Sequence, residues 1–427
     1  MNKSIGMTAM LILGLLCEHI YAVDRYVWAN SPSPGSPYTS WNTAAHDIQT
    51  AVNAAVSEDT VIVTDGVYNI SSQISINTNI TVKSVNGAGT TIVARNQAGS
   101  YRIFNISGTN IILDGFTITN GYISSYGGGI YLSGIGVTVR NCIVANNSAT
   151  HPSYGGGGIY ISGATTNGLI ENCRIVNNTS FNIGGGLIWY SPTTILSNSV
   201  VGWNSATNIG GGMYVSGGQV INCTIIENTS TNIGGGLGIY SGAIVDRCLI
   251  VSNTAKDSGG FYASGSTLSN TIQNCLIYGN TSTGNYGGVS VYMTNLIRNC
   301  TIVYNTASNI CGGITLGVGS RLDNCIIYFN TASSNANYSL NASYQSCNCT
   351  YPAMTGGGNI TNDPQFADAA SGNYRLSRWS PCKNTGTNQD WMTNAVDLDG
   401  QTRIWNRIVD MGAYEYWAPN GVIFRIP

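Results

Sequence analysis

Seven tyrosines, one Lys–Asp pair and a set of twelve cysteines are the side chains whose types and spacing could do chemistry in this sequence. The tyrosines are Tyr131, Tyr160, Tyr190, Tyr214, Tyr240, Tyr262 and Tyr292. Tyrosine offers a flat apolar face with a polar tip, which suits sugar rings and protein partners alike; stacked tyrosines also stabilise a sheet with no ligand at all. Lys256 and Asp257 could act as base and oxygen ligand of a lyase, or form an exposed turn pair. His46 and His151 stand alone and read as bystanders. Asp397 and Asp399 in DLDG begin like a calcium loop but lack its later ligands, which favours a tight turn. No Cys/His spacing resembles a zinc site. The reading is therefore of no metal and no cofactor, with calcium entering only under a lyase alternative.

The elements that must position these residues come from a repeat. Cysteines stand at Cys142, Cys173, Cys223, Cys248, Cys275, Cys300 and Cys325, with Ser199 in the missing place, so the mean period is about 26 residues. Five residues after each position stands an asparagine: Asn147, Asn178, Asn204, Asn228, Asn253, Asn280, Asn305 and Asn330. A glycine cluster precedes an apolar residue in every unit, and an apolar side chain lies three residues before each cysteine position, from Val139 to Leu322. One unit holds three short strands and has no room for a helix. It cannot bury its own apolar face, so it must stack on its neighbours. The expected fold is all-β: a right-handed parallel β-helix with three sheets, the hand that crossover connections prefer.

In such a stack the coils lie about 4.8 Å apart, and like residues superpose. The asparagines just before the cysteines, Asn141 to Asn324, are expected to form a ladder at one bend, broken by Arg247. The cysteines would form an inward column of buried thiols whose parallel Cα–Cβ vectors do not suit a disulfide. Cys311, Cys347, Cys349 and Cys382 lie off that column and are the better disulfide candidates, with their pairing open. On the strand after the glycines, the positions two and four past the last glycine should face outward. They carry the seven tyrosines and no Asp, Glu, Lys, Arg or His. A hydrolase needs paired carboxylates there, and a calcium-dependent lyase needs acidic ligands with a basic residue. Asp246, Asp323, Glu171, Arg140 and Arg298 fall on the second sheet's outer face, where mixed signs suggest cross-coil pairs.

Charged residues make up 8% of the chain, against about 25% in ordinary domains. The net charge of −2 gives no footprint for nucleic acid. Lys3, the apolar run Ile5–Cys17 and Ala22 read as a secretory signal peptide, and no later apolar run is long enough to span a bilayer. The chain divides into the signal peptide at 1–22, an N-terminal cap with an amphipathic helix at 23–60, β-helix coils at 61–358 and a closing segment at 359–427. Ile48, Val52 and Ala55 would share the helix face that covers the first coil.

Two blocks carry a resemblance. DTVIVTDGVYNI, from Asp59 to Ile70, is similar to the first coil of bacterial β-helix proteins of the pectin-lyase-like superfamily. DPQF at Asp363–Phe366, GNYRLSRWSPCKNTG at Gly372–Gly386 and DLDGQTRIWNRIVDMGAYEY at Asp397–Tyr416 resemble the closing segment of secreted β-helix proteins of the choice-of-anchor Q type. The resemblance implies the fold and export, and little about activity. GGGI at Gly127–Ile130 and IIEN at Ile225–Asn228 are similar to repeats of chlamydial polymorphic outer-membrane adhesins, a likeness that shared β-helix physics accounts for. The expectation is a secreted or surface-associated recognition protein, adhesin-like and non-catalytic, whose partner is a polysaccharide, a surface glycan or a protein. The alternative is a polysaccharide lyase or glycoside hydrolase acting on acidic polysaccharide.

Overall fold

A computed structural model describes residues 22–96, 99–265, 268–341 and 344–417. The expected signal peptide lies almost wholly outside the described residues. The chain forms a right-handed parallel β-solenoid of about 11 turns, with a single α-helix among the described residues.

One coil shows the plan. Leu237–Tyr240 lies in the first sheet, Ile244–Asp246 in the second, Leu249–Val251 in the third, and Thr254–Asp257 in a narrow ladder that leads to the next glycines. Stacking these segments gives parallel sheets of 11, 13 and 12 strands, plus an eight-stranded narrow ladder between the third sheet and the first. The narrow ladder adds a fourth side to the three expected from sequence. Most of its strands, such as Thr179–Ser180 and Thr306–Ala307, are only two residues long and carry small or hydroxyl side chains, so they show no apolar alternation. Inside, Val, Ile, Leu, Phe and the seven column cysteines make one continuous core.

Three bends per coil each put a residue in the left-handed region, as Asn222, Glu227 and Gly234 do in one coil. Asn141, Asn172, Asn198, Asn222, Asn274, Asn299 and Asn324 take φ between 48° and 54°, and Arg247 takes 51°. This explains the asparagine before each cysteine, because Asn tolerates that conformation best among non-glycine residues. It also corrects the expected ladder. The outer members, such as Asn141, Asn172 and Asn222, are exposed, and only Asn222 bonds to its predecessor, Asn198, at 2.6 Å.

The continuous ladder is instead built from the second asparagine series. Asn228 is fully buried. Its Oδ1 accepts from the backbone N and Nδ2 of Asn204, both at 3.0 Å, and its Nδ2 donates to Val201 O and Asn253 Oδ1. The same pattern runs from Asn147 through Asn178, Asn204, Asn253, Asn280 and Asn305 to Asn330, where Asn337 ends it. The glycine cluster packs against this ladder. A Cβ on Gly236 would lie 2.6 Å from Gly260 O and 3.0 Å from Asn253 Nδ2. The glycines are thus required by the close approach of one coil to the next.

At the N-terminus, Asp47 caps the helix Ile48–Ala54 by accepting from Thr50 N at 2.8 Å. Ile48, Ala51 and Val52 face the core, and Ala55 follows as the buried C-cap. The helix is shorter than its apolar pattern suggested, so His46 sits before the N-cap and bonds to Ser31 O at 3.0 Å. Asp59, fully buried, accepts from Val23 N, Val56 N and Arg25 Nε, which fastens Asp24–Val27 beside Thr60–Val63.

The closing segment lies along the last coils. Its hairpin, Phe366–Asp368 with Asn373–Leu376, packs on the third sheet's outer face. Gly412 N donates to Asn324 O at 2.7 Å, Ala413 N to Thr301 Oγ1, and Asn299 Nδ2 to Asp410 O. Outward positions of that sheet become buried there: Arg174 is exposed, whereas Leu276, Thr301, Ile326 and Cys349 are buried. Asp397 spends both carboxylate oxygens on the backbone N of Asp399, Gln401 and Glu415, and Asp399 pairs with Arg375 at 2.5 Å. These contacts agree with the tight-turn reading of DLDG.

Candidate functional site: a tyrosine ribbon on the first sheet

The strand pairing puts Tyr131, Tyr160, Ile188, Tyr214, Gly238, Tyr262, Ser290 and Thr315 in one outward column. Ser216, Tyr240, Ser264 and Tyr292 lie in the next. The two columns make one surface. Where the first lacks a ring, at Ile188, Gly238 and Ser290, the second supplies Tyr190, Tyr240 and Tyr292 in the same coil. Ring centroids follow one another at 5.4 Å for Tyr131–Tyr160, 6.3 Å for Tyr160–Tyr190 and 5.7 Å for Tyr190–Tyr214. They continue at 4.9 Å for Tyr214–Tyr240, 5.8 Å for Tyr240–Tyr262 and 5.5 Å for Tyr262–Tyr292. All seven tyrosines therefore form a zigzag ribbon over seven successive coils.

Mutual contact half-buries six of the rings; Tyr292, at the end, is 42% exposed. Tyr214 and Tyr262 thus show ring edges to solvent rather than standing free. Burial, followed by the charge that neighbouring tyrosinates would carry, pushes Tyr160 and Tyr214 up to about 12. Tyr190 and Tyr240 are raised for the same reasons. Such hydroxyls stay protonated at neutral pH and can donate hydrogen bonds, but they are poor proton acceptors.

Sequence reasoning missed the ribbon's N-terminal end. Tyr126 stacks on Tyr160 at 4.8 Å, His151 lies 4.7 Å from Tyr126, and Tyr154 reaches Tyr190 at 6.1 Å. Arg102 closes the row, with its guanidinium 4.7 Å from the Tyr131 ring centre and Nη2 donating to Tyr126 O. These residues sit in loops outside the repeat, so periodicity could not find them. His151 Nδ1 accepts from the backbone N of Ser153 and Tyr154, at 3.1 and 3.2 Å. A backbone N–H can only donate, so the neutral ring carries its proton on Nε2. That tautomer presents a donor outward and no base.

Lys256 and Asp257 do not converge. They are neighbours on the narrow strand Thr254–Asp257. Lys256 is exposed, while Asp257 Oδ1 accepts from Asn285 N and Nδ2 in the next coil. The second sheet's charges also find partners: Arg140 Nε meets Asp114 Oδ2 at 2.8 Å across coils, and Asp246 meets Arg247 at 3.0 Å. Near the C-terminal end the closing segment turns this face into a groove of about 470 Å³, with Arg298 3.9 Å from the Trp391 ring centre. Among the described residues, no three His, Cys, Asp or Glu side chains are grouped to hold a metal ion. No described helix is long and apolar enough to cross a membrane.

No family profile matches the chain, and no curated protein matches it by sequence. Solved structures do. Pectate lyase Pel9A is 15% identical with a TM-score of 0.56, and the match covers 93% of this chain and 97% of that one. The A-module of the mannuronan C-5 epimerase AlgE4 from Azotobacter vinelandii is 16% identical at a TM-score of 0.47, covering 79% and 100%. Tailspike protein gp49 of the Acinetobacter baumannii bacteriophage Fri1, a capsular polysaccharide depolymerase, is 11% identical at 0.41, covering 77% and 63%. The likeness to Pel9A is one of fold, a pectate-lyase-like β-helix; the other two fall too low to carry an argument.

Proposed function

We propose that this chain is an extracellular or surface-associated recognition protein that binds a glycan along the tyrosine ribbon without turning it over. One observation carries the reading: seven rings in unbroken contact over seven coils, roughly 29 Å at the strand spacing, with no acid–base pair on the same face. A row of this length suits an extended chain of several sugar units, each ring edge offering an apolar patch and a hydroxyl. The low charge and the apolar N-terminal run support export and leave no basic surface for nucleic acid.

The test pairs a glycan array with an ultraviolet assay for unsaturated products on acidic polysaccharides, pectate included because the similar fold of Pel9A belongs to a pectate lyase. Binding without product formation is expected. Replacing Tyr214 and Tyr262 by Ala should weaken binding, and Lys256→Ala should matter much less. Robust turnover that depends on Lys256 and Asp257 would replace this reading with the lyase one.

A further inference from the structure

The cysteines outside the core column meet at the C-terminal end. The column stops at Cys325, whose backbone N donates to Asn348 Oδ1 at 2.9 Å, so Asn348 takes the next thiol's place. Cys349 pairs with Ile326 across the third sheet, one residue further on. Side chains alternate along a strand, so the Cys349 side chain faces away from the core column and towards the closing segment. Cys382 arrives there on a turn held by Cys382 N to Ser380 Oγ, Ser380 Oγ to Pro364 O, and Met411 N to Cys382 O. Both thiols are fully buried in one cluster with Ile326, Leu376 and Met411, where Cys349 Sγ donates to Asn362 O at 3.2 Å.

The geometry points to a Cys349–Cys382 disulfide that staples the closing segment to the last coil. Both sulfurs are thiols in the structure described above. The column cysteines differ in geometry: they stand one per coil at like positions of the stack, and their parallel Cα–Cβ vectors keep successive sulfurs from bonding. Cys311 lies in a separate fully buried position. Cys347, although in the same cluster, contacts Thr387 Oγ1 at 2.9 Å.

The oxidant is a small-molecule or protein disulfide. One cysteine thiolate attacks a sulfur of that disulfide and expels one thiol; the second then displaces the other from the mixed disulfide. Two protein thiols and one external disulfide become one protein disulfide and two external thiols, so atoms and electrons balance. Because both sulfurs are buried once the segment docks, exchange belongs to the folding stage. The bond would close a loop of about 33 residues and so restrict the unfolded chain. It would also secure the end at which a solenoid otherwise frays.

The experiment uses the full chain, refolded in a glutathione redox buffer and mapped by mass spectrometry after alkylation under native and then denaturing conditions. The expected result is one Cys349–Cys382 linked peptide, column cysteines that alkylate only after denaturation, and a melting temperature that falls by several degrees on reduction. Cys349→Ser should remove both the link and the sensitivity to reduction, whereas Cys347→Ser should keep both. A folded protein with Cys349 and Cys382 both reduced, or with Cys382 joined to Cys347, overturns the proposal. The peptide map of the unmodified chain decides the matter even if a variant fails to fold.

Discussion

Two files of side chains run along the same solenoid, and they obey different rules. The asparagine ladder is internal, and every coil from Asn147 to Asn330 contributes the same residue at the same place. The tyrosine ribbon is external, and its rings shift between two columns, Tyr214 in one coil and Tyr240 in the next. Inside, each amide accepts from the coil before and donates to the coil after, so one missing member leaves buried polar groups without partners. Outside, a ring needs only a neighbour within contact, and either of two outward positions supplies it. A strict register thus marks a buried hydrogen-bond chain, and a loose one marks a surface that needs coverage rather than exact geometry.

The comparison predicts the largest loss of stability for Asn228→Ala. The amides of Asn204 lose their acceptor while Val201 O loses a donor, and each buried group left unsatisfied costs about 1–3 kcal/mol. Chemical denaturation measures this; an unchanged midpoint would show that the ladder is not what joins the coils. Next in size, Tyr214→Ala with Tyr262→Ala should reduce glycan affinity by at least about tenfold, or 1.4 kcal/mol. The same pair should cost stability only through lost ring contacts, roughly 0.2–1 kcal/mol each, because no buried polar group is orphaned. Binding unchanged by both substitutions would leave the ribbon a purely structural stack.

Smaller effects sharpen the contrast. At the exposed bend, Asn222→Ala should cost about 1–2 kcal/mol through its left-handed backbone, and Asn222→Gly should recover most of that. Equal losses for both would mean that the Asn222 side chain matters more than its φ. The ribbon should also answer to alkali. The folded protein keeps Tyr160 and Tyr214 protonated up to about 12, against 10.0 for the free side chain, so stability from these groups is intact below pH 10 and drains away as pH rises to about 12. Ultraviolet titration should show tyrosines ionising late, and Tyr214→Ala should remove part of that late phase. A titration centred on 10.0 for every tyrosine would show that the rings do not shield one another. Last, Cys223, Cys248 and Cys275 should resist alkylation in the native protein, since each is almost wholly buried in the core.

The sequence by itself determined the coil, its period and the inward and outward faces of the strands in the three main sheets. That information is local: apolar alternation, glycine where coils touch and asparagine at bends repeat every turn, and stacking like on like leaves one register. It put the seven tyrosines on the outer face of the first sheet, where their rings meet, and located the thiol column. It assigned the ladder to the wrong asparagine, because both series precede a turn and only burial separates Asn222 from Asn228. The narrow ladder was hidden in strands of Thr and Ser too short to show a pattern. Tertiary structure alone decided what happens between coils and at the ends. The merging of two tyrosine columns into one ribbon, the addition of Arg102, Tyr126, His151 and Tyr154, and the meeting of Cys349 with Cys382 all join residues that no period relates. Their proximity follows from how loops and the closing segment fold back across the stack, where contact is set by three-dimensional packing and not by spacing along the chain.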